Sequence, residues 1–181
     1  MVYILLADGF EEIEALAPVD ILRRGGVEVK TVGITGKTVC GSHGIKVEAD
    51  ILPDEVGTDI ELLVFPGGLP GADNLHASPY TNKFIETAQK NNARIAAICA
   101  APYILGARGL LRGKHATCYP SEKFVSQLEG ALYEGNMKVV TDGNITTGAG
   151  MGAAFDFGLE LLSLIREKKD ADAIAGAALI K

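Results

Sequence analysis

The stretch Arg94-Ile95-Ala96-Ala97-Ile98-Cys99-Ala100-Ala101-Pro102-Tyr103 decides how this chain folds. An unbroken apolar run is what a strand buried on both faces requires, and the small residues before Pro102 mark a sharp break into a helix. Proline suits a first helical turn, where its missing N–H would have had no partner. A strand passing straight into a helix is the repeating unit of a parallel sheet, and it sets Cys99 at the carboxyl edge, where open α/β folds carry their chemistry. Unpaired N–H groups at a helix start favour the thiolate. Free cysteine is also a common core residue, so the local sequence leaves two readings of Cys99, an activated thiol or a packed one.

The same alternation extends in both directions. Strands are expected at Val2–Leu6, Val27–Val32, Ile60–Phe65, Ile95–Ile98 and Ala116–Tyr119, with a short extended piece at Lys46–Ala49. Helices are expected from Glu11 to about Arg24, ended by Gly25-Gly26, over Thr81–Lys90, beyond Pro102, from about Ala153 to Ile165 and over Asp170–Ala178. Asp142-Gly143 marks a hairpin within residues 139–146. With no repeat, linker or low-complexity segment, the reading is one α/β domain over residues 1–181: a mostly parallel sheet with helices on both faces.

Composition narrows the function. A chain of 181 residues with 48% hydrophobic and 22% charged residues is an ordinary globular domain with a real core. Its net charge of −6 and lack of a Lys/Arg cluster argue against nucleic acid as a partner. There is no apolar stretch of membrane-spanning length and no basic leader, so neither membrane insertion nor secretion is expected. Cys40, Cys99 and Cys118 are odd in number and lack C-x-x-C pairing, which fits a reduced, cytoplasmic protein without a cysteine metal site.

Glu14 is the second candidate for chemistry. Glu14, Pro18 and Ile21 follow helical spacing, so the carboxylate shares a stripe with apolar residues. Desolvation there would raise its pKa and keep it protonated beside a thiolate; alternatively, it reaches solvent past Pro18. Pro18 is expected to kink the helix at the Glu14 carbonyl. Glu11 and Glu12 fall in the first turn, where the helix dipole accounts for them. Pro66-Gly67-Gly68-Leu69-Pro70-Gly71-Ala72 is a glycine-rich turn able to aim N–H groups outward as an oxyanion hole, and it is not a P-loop. Residues 147–152 form a second glycine-rich segment that could wall the same cleft. His43, His76 and His115 have no carboxylate at a telling spacing and read as surface or turn residues, His43 being best placed to reach a cleft. Tyr119 is either a pocket wall or a packed aromatic, and Cys118 a passive strand residue.

In order along the chain, Ala-Asp-Gly-Phe-Glu-Glu-Ile-Glu (7–14) with Pro18-Val19-Asp20, Phe-Pro-Gly-Gly-Leu-Pro-Gly-Ala-Asp-Asn-Leu (65–75) and Ala-Ala-Ile-Cys-Ala-Ala-Pro (96–102) closely resemble the ThiJ/PfpI superfamily, nearest its DJ-one branch. The resemblance covers nearly the whole chain. It implies a flavodoxin-like three-layer sandwich, a homodimer, an elbow thiol at Cys99 and a protonated Glu14 against it. It further implies an oxyanion hole from the N–H groups of Gly68 and Ala100, and a pocket including Gly67, Tyr119 and His43. Family activities include cofactor-independent glyoxalase and deglycase chemistry on small reactive carbonyls, and oxidative-stress or chaperone roles; no cofactor or metal is implied. Three positions depart from the branch. Tyr119 stands where a histidine is frequent, and Ala149 and His43 stand where arginines are. Ala100 after Cys99 also departs from the Cys-His pair of the peptidase-like branch, which disfavours proteolysis.

Overall fold

The computed structural model describes residues 1–180. In chain order its elements are β1 (Val2–Leu6), α1 (Glu12–Arg24), β2 (Val29–Gly33), β3 (Thr38–Cys40), β4 (Lys46–Glu48), β5 (Leu62–Phe65), α2 (Gly71–Ala77), α3 (Pro79–Lys90), β6 (Arg94–Ile98) and α4 (Pro102–Gly106). There follow β7 (His115–Ala116), α5 (Glu122–Val125), β8 (Leu132–Tyr133), β9 (Val139–Asp142), β10 (Ile145–Gly148), α6 (Ala154–Ile165) and α7 (Lys168–Ala177). Six strands form one sheet in the order β2-β1-β5-β6-β10-β9, parallel except for β9, which closes a hairpin on β10.

Period-two side-chain alternation divides the interior into two layers. Val2, Ile4, Leu6, Leu62, Val64, Ala96 and Ile98 point into a core closed by α1 and α6, through Ile21, Leu22, Phe157 and Leu161. Tyr3, Leu5, Leu63, Phe65, Ile95 and Ala97 point to the opposite face, covered by Leu75, Phe84 and Ile104 of α2, α3 and α4. The architecture is therefore the flavodoxin-like three-layer α/β sandwich, with β5 and β6 at its centre and buried except for Arg94 at the start of β6.

Several local expectations need correction. The strand over Ala116–Tyr119 shrinks to β7, paired only with β8 outside the main sheet. Thr117 N–H donates to Thr147 Oγ1 at 2.9 Å rather than to a neighbouring strand, and Tyr119 N–H donates to the Cys99 carbonyl at 2.8 Å. That segment is thus pinned to the cysteine turn instead of joining a ladder. The helix beyond Pro102 is a single short one ending at Gly106, which lies against the Gln127 backbone, where a Cβ would sit 2.2 Å from the carbonyl oxygen. Pro18 lies inside α1, which runs from Glu12 to Arg24. No helix among the described residues is long and apolar enough to cross a membrane.

Candidate functional site

Cys99 begins the turn that follows β6, and its backbone is left-handed, with φ +63°. A residue with a Cβ adopts that conformation at a cost of about 1–2 kcal/mol, so its neighbours must hold it there. They do so from both sides. The Cys99 N–H donates to the Gly148 carbonyl at 2.9 Å, and its carbonyl accepts from Tyr119. The bend lifts the side chain off the end of the sheet toward the turn after β5, where the N–H groups of Gly68 and Ala100 face the sulfur.

Gly68 can occupy its place only without a side chain: its φ is +85°, and a Cβ would lie 2.4 Å from the Glu11 nitrogen. Gly67, one residue earlier, is equally confined. An added Cβ there would meet Glu14 Oε2 at 2.6 Å and the Cys99 Cβ at 2.7 Å. Gly67 was expected in the pocket wall; it lies instead between the glutamate and the cysteine, where its N–H donates to Glu14 Oε2 at 2.9 Å. Close backbone approach, not substrate contact, is what that glycine permits.

Glu14 is fully buried, which removes the alternative in which it reaches solvent past Pro18. Burial pushes its carboxyl up to about 7, helped by the Glu11 charge and opposed by hydrogen bonding with Cys99 and Gly67. Its Oε1 is buried with no hydrogen-bond partner among the described residues. The thiol was expected to be lowered by a helix N-terminus. The structure reverses that direction: burial and the Glu14 carboxylate raise it, while the Ala100 and Gly68 N–H groups pull it down. The physical reason is that α4 starts three residues later and is barely a turn long, whereas Glu14 is immediate. Near neutral pH the thiol therefore keeps its proton, while the Glu14 carboxyl beside it lies near its own midpoint.

Glu11 and Glu12 do more than answer the helix dipole. Glu11 caps α1, its Oε2 accepting from Glu14 N–H at 2.7 Å, and so aims the helix carrying the buried carboxyl. Glu12 is buried and grips the loop after β3, accepting from His43 N–H at 2.7 Å and meeting His43 Nδ1 at 2.9 Å. Burial works to raise Glu12, but the two His43 hydrogen bonds outweigh it and hold the carboxyl at about 2; the same contact raises His43. His43 thus has the carboxylate partner that its sequence spacing hid, 31 residues away. Glu11, Glu12 and His43 offer ligand atoms within 4.8 Å of one another, but Glu12 and His43 satisfy each other there.

These elements enclose a pocket of about 290 Å³ lined by Cys99, Gly68, Ala100, Glu11, Ser42, His43, Leu69, Tyr119 and Phe124. Cys99, Gly68, Ala100, Tyr119 and His43 are brought together as expected, and Glu14 lies beneath, buried in contact with the thiol. Leu69 and Phe124 were not anticipated; the turn motif offered a clue to the first, and nothing local marked the second. The segment 149–153 walls an adjoining cavity shared with Tyr119, and a Cβ on Gly150 would lie 3.9 Å from the Cys99 sulfur. His76 packs at a tilt against Tyr103 and meets Arg108, while His115 pairs with Glu134, so neither enters the pocket. Cys118 is buried and its thiol is pushed up to about 11 by that burial.

A flavodoxin-like sheet that bends a central strand's terminal cysteine into the left-handed region, over a buried carboxyl from the first helix, defines a class of α/β proteins with a thiol–carboxyl site. The chain belongs to the DJ-1/PfpI family, whose model matches residues 1–164. It is 32% identical over 179 residues to protein dj-1beta of Drosophila melanogaster, covering 98% of this chain and 95% of that protein. It is 34% identical over 183 residues to DJ-1 homolog B of Arabidopsis thaliana, covering 99% of this chain but only 41% of that longer protein. A glutathione-independent glyoxalase of Caenorhabditis elegans is 31% identical over 156 residues, covering 86% of this chain and 82% of the relative. The crystal structure of Drosophila DJ-1beta superposes with a TM-score of 0.93 over 99% of this chain and 97% of its own, at 33% identity. Oxidized Toxoplasma gondii DJ-1 gives 0.92 over 98% and 97%, at 34% identity.

Proposed function

We propose that this protein is a glutathione-independent glyoxalase-type enzyme, turning small 2-oxoaldehydes into 2-hydroxyacids through a hemithioacetal on Cys99. The observation that carries this reading is the close packing of the buried Glu14 carboxyl against Cys99, both within 2.7 Å of one point at Gly67, with two N–H groups facing the sulfur. Sulfur attacks the aldehyde carbon as Glu14 takes the thiol proton. The carbonyl oxygen gains the electron pair, is stabilised by the Gly68 and Ala100 N–H groups, and takes that proton from Glu14, which returns to the carboxylate. Glu14 next moves the proton from the aldehyde carbon to the neighbouring carbonyl carbon by way of an enediol, leaving a thioester. Water hydrolyses the thioester to the 2-hydroxyacid and restores the thiol. One carbon is oxidised as its neighbour is reduced, so the overall reaction needs no external oxidant or reductant. The nematode glyoxalase supports this reading as a family precedent. Purified protein given methylglyoxal without glutathione should yield lactate, and Cys99→Ser and Glu14→Gln should each lower turnover about 100-fold or more. Wild-type protein that forms no hydroxyacid overturns the proposal.

The unpartnered Glu14 Oε1 favours a second reading, in which peroxide oxidises Cys99 to the sulfinate and Glu14 donates to it. Each oxidation step consumes one peroxide and releases one water. An intact-mass increase of two oxygens, lost in Cys99→Ser and accompanied by a higher melting temperature, is the expected result. An unchanged mass after mild peroxide eliminates it.

A further inference from the structure

The pocket beside Cys99 is larger and less polar than a three-carbon aldehyde requires. Its volume of about 290 Å³ approaches that of sites for drug-sized ligands. Leu69 and Tyr119 line it while remaining 41% and 49% exposed. Tyr119 is braced: its ring meets that of Phe124 edge-on, with centroids 6.3 Å apart and planes at 89°. Phe124 is itself buried, so the tyrosine ring rests on a fixed support. Beside it, a Cβ on Gly150 would lie 3.6 Å from Tyr119 Cδ2 and 3.9 Å from the Cys99 sulfur. One point is therefore within contact distance of both the ring and the reacting atom, and no side chain fills it.

The charges in the pocket point the same way. Its described lining includes the Glu11 carboxylate but no lysine or arginine, and His43 is matched by Glu12. A carboxylate or phosphate on a substrate would find no free cation in that lining and would face Glu11.

We propose that this pocket selects neutral 2-oxoaldehydes bearing an aryl group on the ketone carbon, over three-carbon and anionic ones, with Tyr119 as the residue that determines the choice. The inference rests on Cys99 being the attacking thiol, as proposed above. With sulfur on the aldehyde carbon, the aryl group covers the exposed faces of Tyr119 and Leu69 and expels water from them. A methyl group in its place leaves those faces wet.

The test does not depend on turnover. Cys99 is alkylated with iodoacetanilide, iodoacetamide and iodoacetate, which share one displacement of iodide by sulfur and differ in carrying an aryl, a small neutral or an anionic group. Site-resolved mass spectrometry follows Cys99 apart from Cys40 and Cys118, and each rate is divided by that of free cysteine. The normalised aryl-to-amide ratio should exceed one by about fivefold, as an added aromatic contact implies. In Tyr119→Ala it should fall close to one, and the normalised acetate-to-amide ratio should lie below one in wild-type protein. Because each comparison is a ratio, a general loss of thiol reactivity in the variant divides out. An aryl ratio of one, an aryl advantage that survives Tyr119→Ala, or a Cys99 that no reagent reaches overturns the proposal. Absent hydroxyacid with the aryl preference intact overturns the glyoxalase reading alone. In the turnover assay, phenylglyoxal should exceed methylglyoxal in kcat/KM by a similar factor.

Discussion

At the scale of single residues, Glu14 couples the chemistry of the site to the stability of the fold. Its carboxyl titrates near 4.5 in an unstructured chain and at about 7 in the fold. The folded state therefore holds this proton more tightly, and the stabilisation is complete below about pH 4.5 and lost as pH rises through 7. The contribution at stake is on the order of 3 kcal/mol. Glu12 acts in the opposite window, since its lowered pKa contributes stability above about 4.5 that disappears as pH falls through 2. Wild-type melting temperature should accordingly fall between pH 5 and 8, and Glu14→Gln should fall distinctly less over the same range. Parallel curves from differential scanning calorimetry would show that Glu14 is not the group titrating. Of these residues, the sequence made Cys99 and Glu14 candidates, but local patterns left both readings open, and it was the family resemblance that assigned their roles. The direction of the Cys99 shift was not legible, because it depends on a carboxylate 85 positions away in the chain.

At the scale of elements, the site depends on how closely α1 lies against α6. Gly158 sits at their contact, where a Cβ would come 2.8 Å from Ile21 Cδ1 and 3.1 Å from Pro18 Cα. The second neighbour is backbone, so it yields only if the helix itself moves, and that helix carries Glu14 one turn earlier. Gly158→Val should cost about 1–3 kcal/mol in urea denaturation. It should also speed Cys99 alkylation, because Glu14, which raises the thiol, loses register with it. An unchanged denaturation midpoint would mean that the two helices can separate freely. Sequence patterning located both helices nearly to the residue, since each has an apolar face of helical period. It missed α2, α5, β3 and β8, which are too short to display any period.

At the scale of the whole molecule, the exposed apolar residues Ile13, Met151 and Phe155 lie on or next to the adjacent helices α1 and α6. We propose that they belong to the contact of a homodimer, the assembly that the sequence resemblance implies. Sedimentation analysis should then give twice the 19.0 kDa chain mass, and Phe155→Glu should shift it toward one chain. A wild-type protein sedimenting as a single chain at micromolar concentration removes this proposal.

By itself the sequence determined the layered α/β architecture and the family, and through the family resemblance it nominated the thiol and its carboxyl. The architecture follows from apolar alternation and helical stripes, and the family from motifs in a fixed order along the chain. Only the tertiary structure decided that Gly67 is a spacer rather than a pocket wall, that His43 is bound to Glu12, and that Tyr119 rests on Phe124 beside the sulfur. Those facts depend on distances between segments far apart in the chain. Burial and Coulomb interactions are set by such distances, and no local window of sequence contains them.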